Sequence, residues 1–386
     1  MSVITSLAAF GESTFRGWNN GDDENPYMVP KMVGTAFGMD THFRTVENMA
    51  VSGTDIYAQM QTSVTNINGK VFPGPLIAAN IAGTKGLIAI INFGINDAYS
   101  GVAPATFKNS LLIIIDRLHR AGKIVFLQTP NKVSNTFLYK YDSASLKDGI
   151  TVAQRNDQNA QKMREVASEL GLPLSDVNAL TIPRSDDVHP TNAGYISMKD
   201  SMVSQMPVST IETINYRVQA ALLYIGLFCR APESGGLAYW TGELAAGRLS
   251  FDSGSCANVM LAVPAVQLLY PSSMSNQAFI AALYVNVFGR QPDTDGLNYW
   301  LGVLNEYGNR GKVLSTMLDI GFNYKEYSNT NPLGLTSQIL MHNRLAVGMA
   351  YGYIFNKSAV DTPYPYGILA GVTTSPATVV AATANL

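Results

Sequence analysis

Of 386 residues only two are cysteine, Cys229 and Cys256, which excludes a disulfide framework and a four-cysteine zinc site. A single disulfide between them stays open, but two free thiols are the expected state. Charge is scarce as well: Asp, Glu, Lys and Arg make up 14% of the chain, against about 25% in an average soluble protein. Neutral polar side chains must cover the surface instead. No sign of charge dominates, since the formal net charge is −2 at pH 7 and the Lys and Arg residues are scattered. Without a basic field to neutralise phosphates or hold an anionic membrane, nucleic acid is not an expected partner. No apolar run reaches the length of a membrane span, so no such span is expected either. A cleavable leader is also not expected, because the short apolar stretch at residues 3–10 runs directly into Gly11-Glu12-Ser13.

What is present has room for two or three domains, each with a core of its own. Up to about residue 206, strand and helix signals alternate. Residues 3–10, 86–93 (GLIAIINF) and 123–128 (KIVFLQ) are short, nearly continuous apolar runs, the pattern of strands buried on both faces. Between them, residues 104–121 carry Phe107, Leu111, Leu112, Ile115 and Leu118 at helical spacing, with Gly122 as a stop. Residues 151–170 repeat the device with Val152, Ala160, Met163, Ala167 and Leu170 on one face and Gly171 after the last turn. Such alternation predicts an α/β fold, a parallel sheet covered by helices on both sides.

After Pro207 the strand signals stop and the sequence repeats itself. Leu223-Tyr224, Phe228, Arg230, Pro232, Gly236-Leu237, Tyr239-Trp240, Gly242 and Leu244 recur at an offset of 60 residues, as Leu283-Tyr284, Phe288, Arg290, Pro292, Gly296-Leu297, Tyr299-Trp300, Gly302 and Leu304. The pattern predicts duplicated helical hairpins, too few for a solenoid. A further helix is expected over 336–355, and a short final one capped by Ser375 with Pro376 in its first turn. Domain boundaries follow: residues 1–206, a linker at 207–215, and a mainly helical unit at 216–386.

Chemistry concentrates in the first part. Ser13 follows the first apolar run at Gly11, where the carboxyl end of a parallel strand opens into a ligand crevice and glycine permits a tight turn. A serine nucleophile needs a base, and the chain has four histidines. His119 lies mid-helix among charged residues, His342 sits in a terminal helix and His42 has no acid at a useful offset, so all three read as surface or packing residues. His189 differs: in Ser185-Asp186-Asp187-Val188-His189-Pro190 a carboxylate stands three residues before the imidazole, able to hold Nδ1–H and present Nε2 to Ser13. Developing negative charge would need donors, and Gly53 and Asn96, each close behind an apolar segment, can supply a backbone and a side-chain N–H.

Together, Gly11-Glu12-Ser13, Val51-Ser52-Gly53, Gly94-Ile95-Asn96-Asp97 and Asp186-Asp187-Val188-His189-Pro190 resemble the ordered blocks of the GDSL-like or SGNH hydrolases, over residues 3 to about 206. The resemblance implies a flavodoxin-like three-layer α/β/α sandwich and an esterase mechanism without metal or cofactor. Ser13 would be the nucleophile, His189 the base and Asp186 its orienting acid, with the N–H groups of Ser13 and Gly53 and the Asn96 side chain as oxyanion hole. Glu12 departs from the family's usual Asp.

In the repeated half, residues 288–300 (FGRQPDTDGLNYW) resemble the bacterial domain of unknown function numbered 4214, found in exported, surface-associated and phage proteins. Asp293 and Asp295 suggest a calcium loop, but the first repeat has Glu233 and Gly235 there, so a turn and helix cap is expected. The resulting expectation is a serine esterase acting on an O-acyl group, most plausibly O-acetyl on a cell-surface polysaccharide, extracellular or virion-associated, with oligomerisation open through the helical half. The alternatives are a non-catalytic carbohydrate-binding or structural protein, such as a phage tail component, and a cytoplasmic location.

Overall fold

The computed structural model describes residues 6–16, 28–37, 46–60, 63–65, 71–73, 81, 84–140, 143–324 and 332–386. The start of the first apolar run and His42 lie outside these residues. Two compact units emerge, Ser6–His119 with Lys123–Val208, and Ser209–Leu386 with Arg120–Gly122.

In the first unit the apolar runs form strands β1 (Leu7–Gly11), β2 (Val46–Asn48), β5 (Ile88–Asn92), β6 (Ile124–Gln128) and β7 (Leu174–Ser175), while β3 (Ser63–Thr65) and β4 (Val71–Pro73) pair as a separate antiparallel ribbon. The main sheet is parallel throughout, in the order β2-β1-β5-β6-β7. This is the doubly wound arrangement of a flavodoxin-like fold, with the order reversing beside β1. Every residue of β1 and β5 is buried. Since successive side chains point to opposite faces, both faces of the sheet are covered.

Local chemistry explains the covering helices. Helix Pro104–Arg120 buries Phe107, Leu111, Ile114, Ile115 and Leu118. Ile114 takes the place expected for Leu112, which is half-buried, because a stripe at offsets of 4, 7, 8 and 11 from Phe107 leaves Leu112 on the flank. Helix Val152–Leu170 starts at a capping box: the Thr151 hydroxyl accepts from Gln154 N–H, and the Gln154 side chain accepts from Thr151 N–H. It ends at Gly171, left-handed at φ 64°. Among the described residues no helix is long and apolar enough to cross a membrane.

The second unit is mainly helical. Helix Val208–Leu223 runs through the segment expected as a linker. Its end widens into a π-turn at Tyr224–Phe228, and the second repeat does the same at Tyr284–Phe288. The returning helices, Ser234–Ala245 and Thr294–Tyr307, bury Trp240 and Trp300 and leave Tyr239 and Tyr299 exposed. Asp293 caps its helix by accepting from Gly296 N–H at 2.7 Å, the expected cap. Helix Pro332–Met349 runs into a third π-turn, Ala350–Ile354. The final helix, Pro376–Thr383, starts after Ser375, but the Ser375 side chain makes no capping bond; its N–H donates to Thr373 Oγ1. Cys229 and Cys256 are both free and buried.

Candidate active site

Parallel strands bring the expected residues to one edge of the sheet, because every strand delivers its carboxyl end to the same side. Gly11 closes β1, and a side chain there would put its Cβ 2.6 Å from the Asn92 carbonyl oxygen on β5. The glycine is therefore required by close approach to the neighbouring strand rather than by the freedom to turn. Two residues on, Ser13 opens the short helix Ser13–Arg16.

The partner of Ser13 arrives from the loop between β7 and helix Asn192–Ser204. Ser13 Oγ lies 3.0 Å from His189 Nε2. His189 Nδ1 lies 2.8 Å from Asp186 Oδ2. Asp186 Oδ1 also accepts the backbone N–H groups of Val188 and His189, at 2.7 and 2.6 Å. Burial alone would raise the Asp186 pKa, but the hydrogen bonds from His189 and Val188 outweigh it and hold the group below its ordinary value. An ionised carboxylate only accepts, so Nδ1 carries the proton and Nε2 offers its lone pair to the Ser13 hydroxyl. Asp187 has other partners: its Oδ1 accepts from the Thr136 hydroxyl at 3.1 Å, and its carbonyl from Ser134 N–H at 2.8 Å.

Gly53 follows β2 in a loop where its φ of 70° suits glycine. Asn96 lies in the five-residue helix Ile95–Tyr99 that follows β5. Its Nδ2 donates to the Thr54 carbonyl at 3.2 Å, joining these two loops. Gln59, fully buried, donates to Thr54 Oγ1 at 2.6 Å and to the Gly11 carbonyl at 3.3 Å, tying them to the nucleophile turn. Ser13, Gly53, Asn96, Asp186 and His189 all line one cavity of about 400 Å³, along with Ser52, Tyr99, Phe137, Asp187 and Val188.

Below the cavity lies a network that residue patterns did not disclose. Glu12 is fully buried, and its two oxygens accept the N–H groups of Ile95 and Asn96 at 3.0 and 2.9 Å. The residue beside the nucleophile thus grips the backbone of the candidate oxyanion donor. Burial pushes Glu12 up to about 8; the Asn96 and Ile95 N–H groups pull the other way, and neighbouring Asp55 adds to the rise. Asp97 is also buried and raised, by desolvation and then by the charges of Asp55 and Glu12. Adjacency to Ser13 was the only hint of Glu12 in the sequence. Tyr99 could have been found from its place one helical turn after Asn96. Phe137 had no signal, because it sits in an irregular loop.

The other described histidines stand apart. His119 is half-buried in its helix, and burial lowers its pKa. His342 stacks on Phe322 with ring centroids 4.0 Å apart. Among the described residues no group of three His, Cys, Asp or Glu could hold a metal ion.

Residues 9–195 match the model of the GDSL-like Lipase/Acylhydrolase family, and residues 257–320 that of a domain of unknown function, DUF4214, which takes in the second repeat but not the first. No curated protein matched the chain. Similar solved structures include a lipase/acylhydrolase from Enterococcus faecalis, 18% identical, covering 52% of this chain and 95% of its own, at a TM-score of 0.40. A member of the lipolytic protein G-D-S-L family from Veillonella parvula is 14% identical, covering 52% and 97%, at 0.38. A carbohydrate acetylesterase from Sinorhizobium meliloti is 13% identical, covering 52% and 98%, at 0.41. Residues 9–195 are a GDSL-like lipase/acylhydrolase domain, carried in one chain with a DUF4214 domain.

Proposed function

We propose that the chain is a serine esterase that removes a short O-acyl group, O-acetyl above all, from a polysaccharide. The observation that carries the reading is the relay from Ser13 Oγ to His189 Nε2 at 3.0 Å and from His189 Nδ1 to Asp186 at 2.8 Å. Ser13 attacks the ester carbonyl as His189 takes its proton, and Asp186 stabilises the imidazolium that forms. The oxyanion is met by the N–H groups of Ser13 and Gly53 and by the side-chain amide of Asn96. His189 then protonates the departing alcohol, leaving an acyl-serine. Water, deprotonated by the same imidazole, attacks that acyl-serine and releases the acid and free Ser13.

A cavity of about 400 Å³, near the small end of the roughly 300–1,000 Å³ usual for ligand sites, supports a short acyl group. The same reading assigns the chemistry to residues 1–206 and an accessory role to 216–386. Acetate release from O-acetylated polysaccharides tests it, with an organophosphonate probe to identify the nucleophile. Ser13→Ala should lose about 10⁶ in rate, since no neighbour replaces a triad nucleophile. Full activity in that variant, or labelling of another serine, would overturn the assignment.

A further inference from the structure

We propose that Tyr99 and Phe137 form a platform for a pyranose ring, the alcohol half of the ester, and so determine substrate class; this rests on the esterase reading above. The two rings stack 4.8 Å apart at 20°, and both residues line the cavity that holds Ser13. They are half-buried and packed against a cluster containing Ile95, Val133 and Tyr139; stacked on one another, each ring keeps its outer face for a further partner.

Both rings are held by the same elements that hold the reacting groups. Tyr99 stands three residues after Asn96 on one short helix, and its carbonyl accepts from Lys140 N–H at 3.0 Å. Phe137 lies in the loop that Asp187 fastens through Ser134 and Thr136, next to His189 in sequence. The platform is thereby fixed relative to both the oxyanion side and the base.

Three observations choose the occupant. A flat aromatic wall carries negative charge on its faces, which suits the C–H-lined face of a sugar ring. Asp187 is exposed on the cavity lining, and beside the bond that its Oδ1 accepts from Thr136 its carboxylate can accept a hydrogen bond from a sugar hydroxyl. No Lys or Arg stands among the described lining residues, so nothing there would offset the charge of a phosphate-bearing ester. A neutral acetylated sugar satisfies all three, whereas a fatty acyl chain makes no use of the carboxylate.

The test compares three esters in the full chain: a mono-O-acetyl methyl pyranoside, ethyl acetate and ethyl octanoate. Tyr99→Leu and Phe137→Leu keep apolar volume and remove the flat faces, with circular dichroism to establish folding. The expected result is that each variant lowers the pyranoside-to-ethyl-acetate ratio of kcat/KM by about tenfold. An unchanged ratio in both folded variants would overturn the platform, as would a selective loss on ethyl octanoate, which would make the wall an acyl site. The underlying reading is judged separately: if Ser13→Ala retains ethyl acetate hydrolysis, the esterase assignment fails; if that activity is lost while the ratio stays fixed, only the platform fails. Where a single leucine variant does not fold, Phe137→Met serves in its place under the same criteria.

Discussion

Both halves of the molecule use an acid and a base three residues apart, and they use the pair for different ends. In the α/β unit Asp186 faces the His189 ring. In the helical unit Arg230 pairs with Glu233, and Arg290 with Asp293, at equivalent points of the two repeats. All three are local contacts that a short segment can make unaided. What distinguishes the first is a third group, Ser13, 176 residues away in sequence, which the parallel sheet carries to the Nε2 side of the ring. The helical pairs end on structure: the Glu233 carboxylate also receives the Tyr224 hydroxyl at 3.1 Å, and Asp293 caps a helix. A local pair becomes a candidate for chemistry only when long-range topology supplies something to act on.

The sharpest way to break the comparison is to spoil one local pair and watch the distant group. Asp186→Asn replaces an acceptor-only carboxylate with an amide that can present N–H to Nδ1 and so favour the wrong His189 tautomer, and should lower kcat by up to about 10⁴ with the fold intact. Asp187→Asn, whose carboxylate is turned to Thr136, should remain largely active. A severe loss confined to Asp187→Asn would reverse the roles given to the two acids, and a mild loss in Asp186→Asn would make the pair Ser13–His189 a dyad. Next in size, Asn96→Ala should cost about 10²- to 10³-fold in kcat. If steady-state kinetics instead show only KM rising, Asn96 binds substrate and does not hold the oxyanion.

The helical pairs should respond in stability, and unequally. Side chains of Arg230 and Glu233 are 7% and 20% exposed, against 25% and 57% for Arg290 and Asp293. Glu233→Ala leaves a buried guanidinium unpaired and should cost about 3–5 kcal/mol in denaturant unfolding. Asp293→Ala loses a cap and an exposed pair, about 1 kcal/mol. Equal losses would mean that the repeats are energetically equivalent despite their different burial.

A further effect concerns pH. Because burial raises Glu12 to about 8 from an ordinary 4.5, the folded chain keeps a proton that the unfolded chain gives up. Its contribution to stability is therefore full below about pH 4.5 and is lost as pH climbs through about 8. Glu12→Gln should shrink the drop in Tm between pH 5 and pH 8, as thermal melts at the two pH values would show. An undiminished drop would assign the dependence to Asp97, which is raised in the same direction.

Some of this was legible in residue order and some was not, for physical reasons. Helix Val152–Leu170 could be read because a capping box and a left-handed glycine are local signals. Ser13, Asp186, His189, Gly53 and Asn96 could be singled out because the chemistry of each residue type narrows its use, and the structure brings all five to one cavity. Glu12 could not be assigned a contact, since its partners lie 83 and 84 residues on and depend on the pairing of β1 with β5. Phe137 was invisible for a similar reason: its loop is brought to the cavity by long-range bonds, among them those that Ser134 and Thr136 donate to Asp187. Ser375 shows the reverse failure, a correct residue type at a helix start whose hydroxyl makes no cap.

Helix Ile95–Tyr99 is only five residues long, yet it is pinned by Glu12 at its first two N–H groups and by Asp97 to Ile56. It carries Asn96 and Tyr99 one turn apart, so the distance from the reacting carbonyl to the aromatic face is set by helix pitch and leaves little to substrate adjustment. On a pyranose seated at that face, hydroxyls at different ring carbons stand at different distances from Ser13. If the proposed platform holds, the pinned turn would act as a ruler and regioselectivity among otherwise identical acetyl groups would be its consequence: one ring position should be deacylated first and its neighbours only after the sugar shifts or turns over.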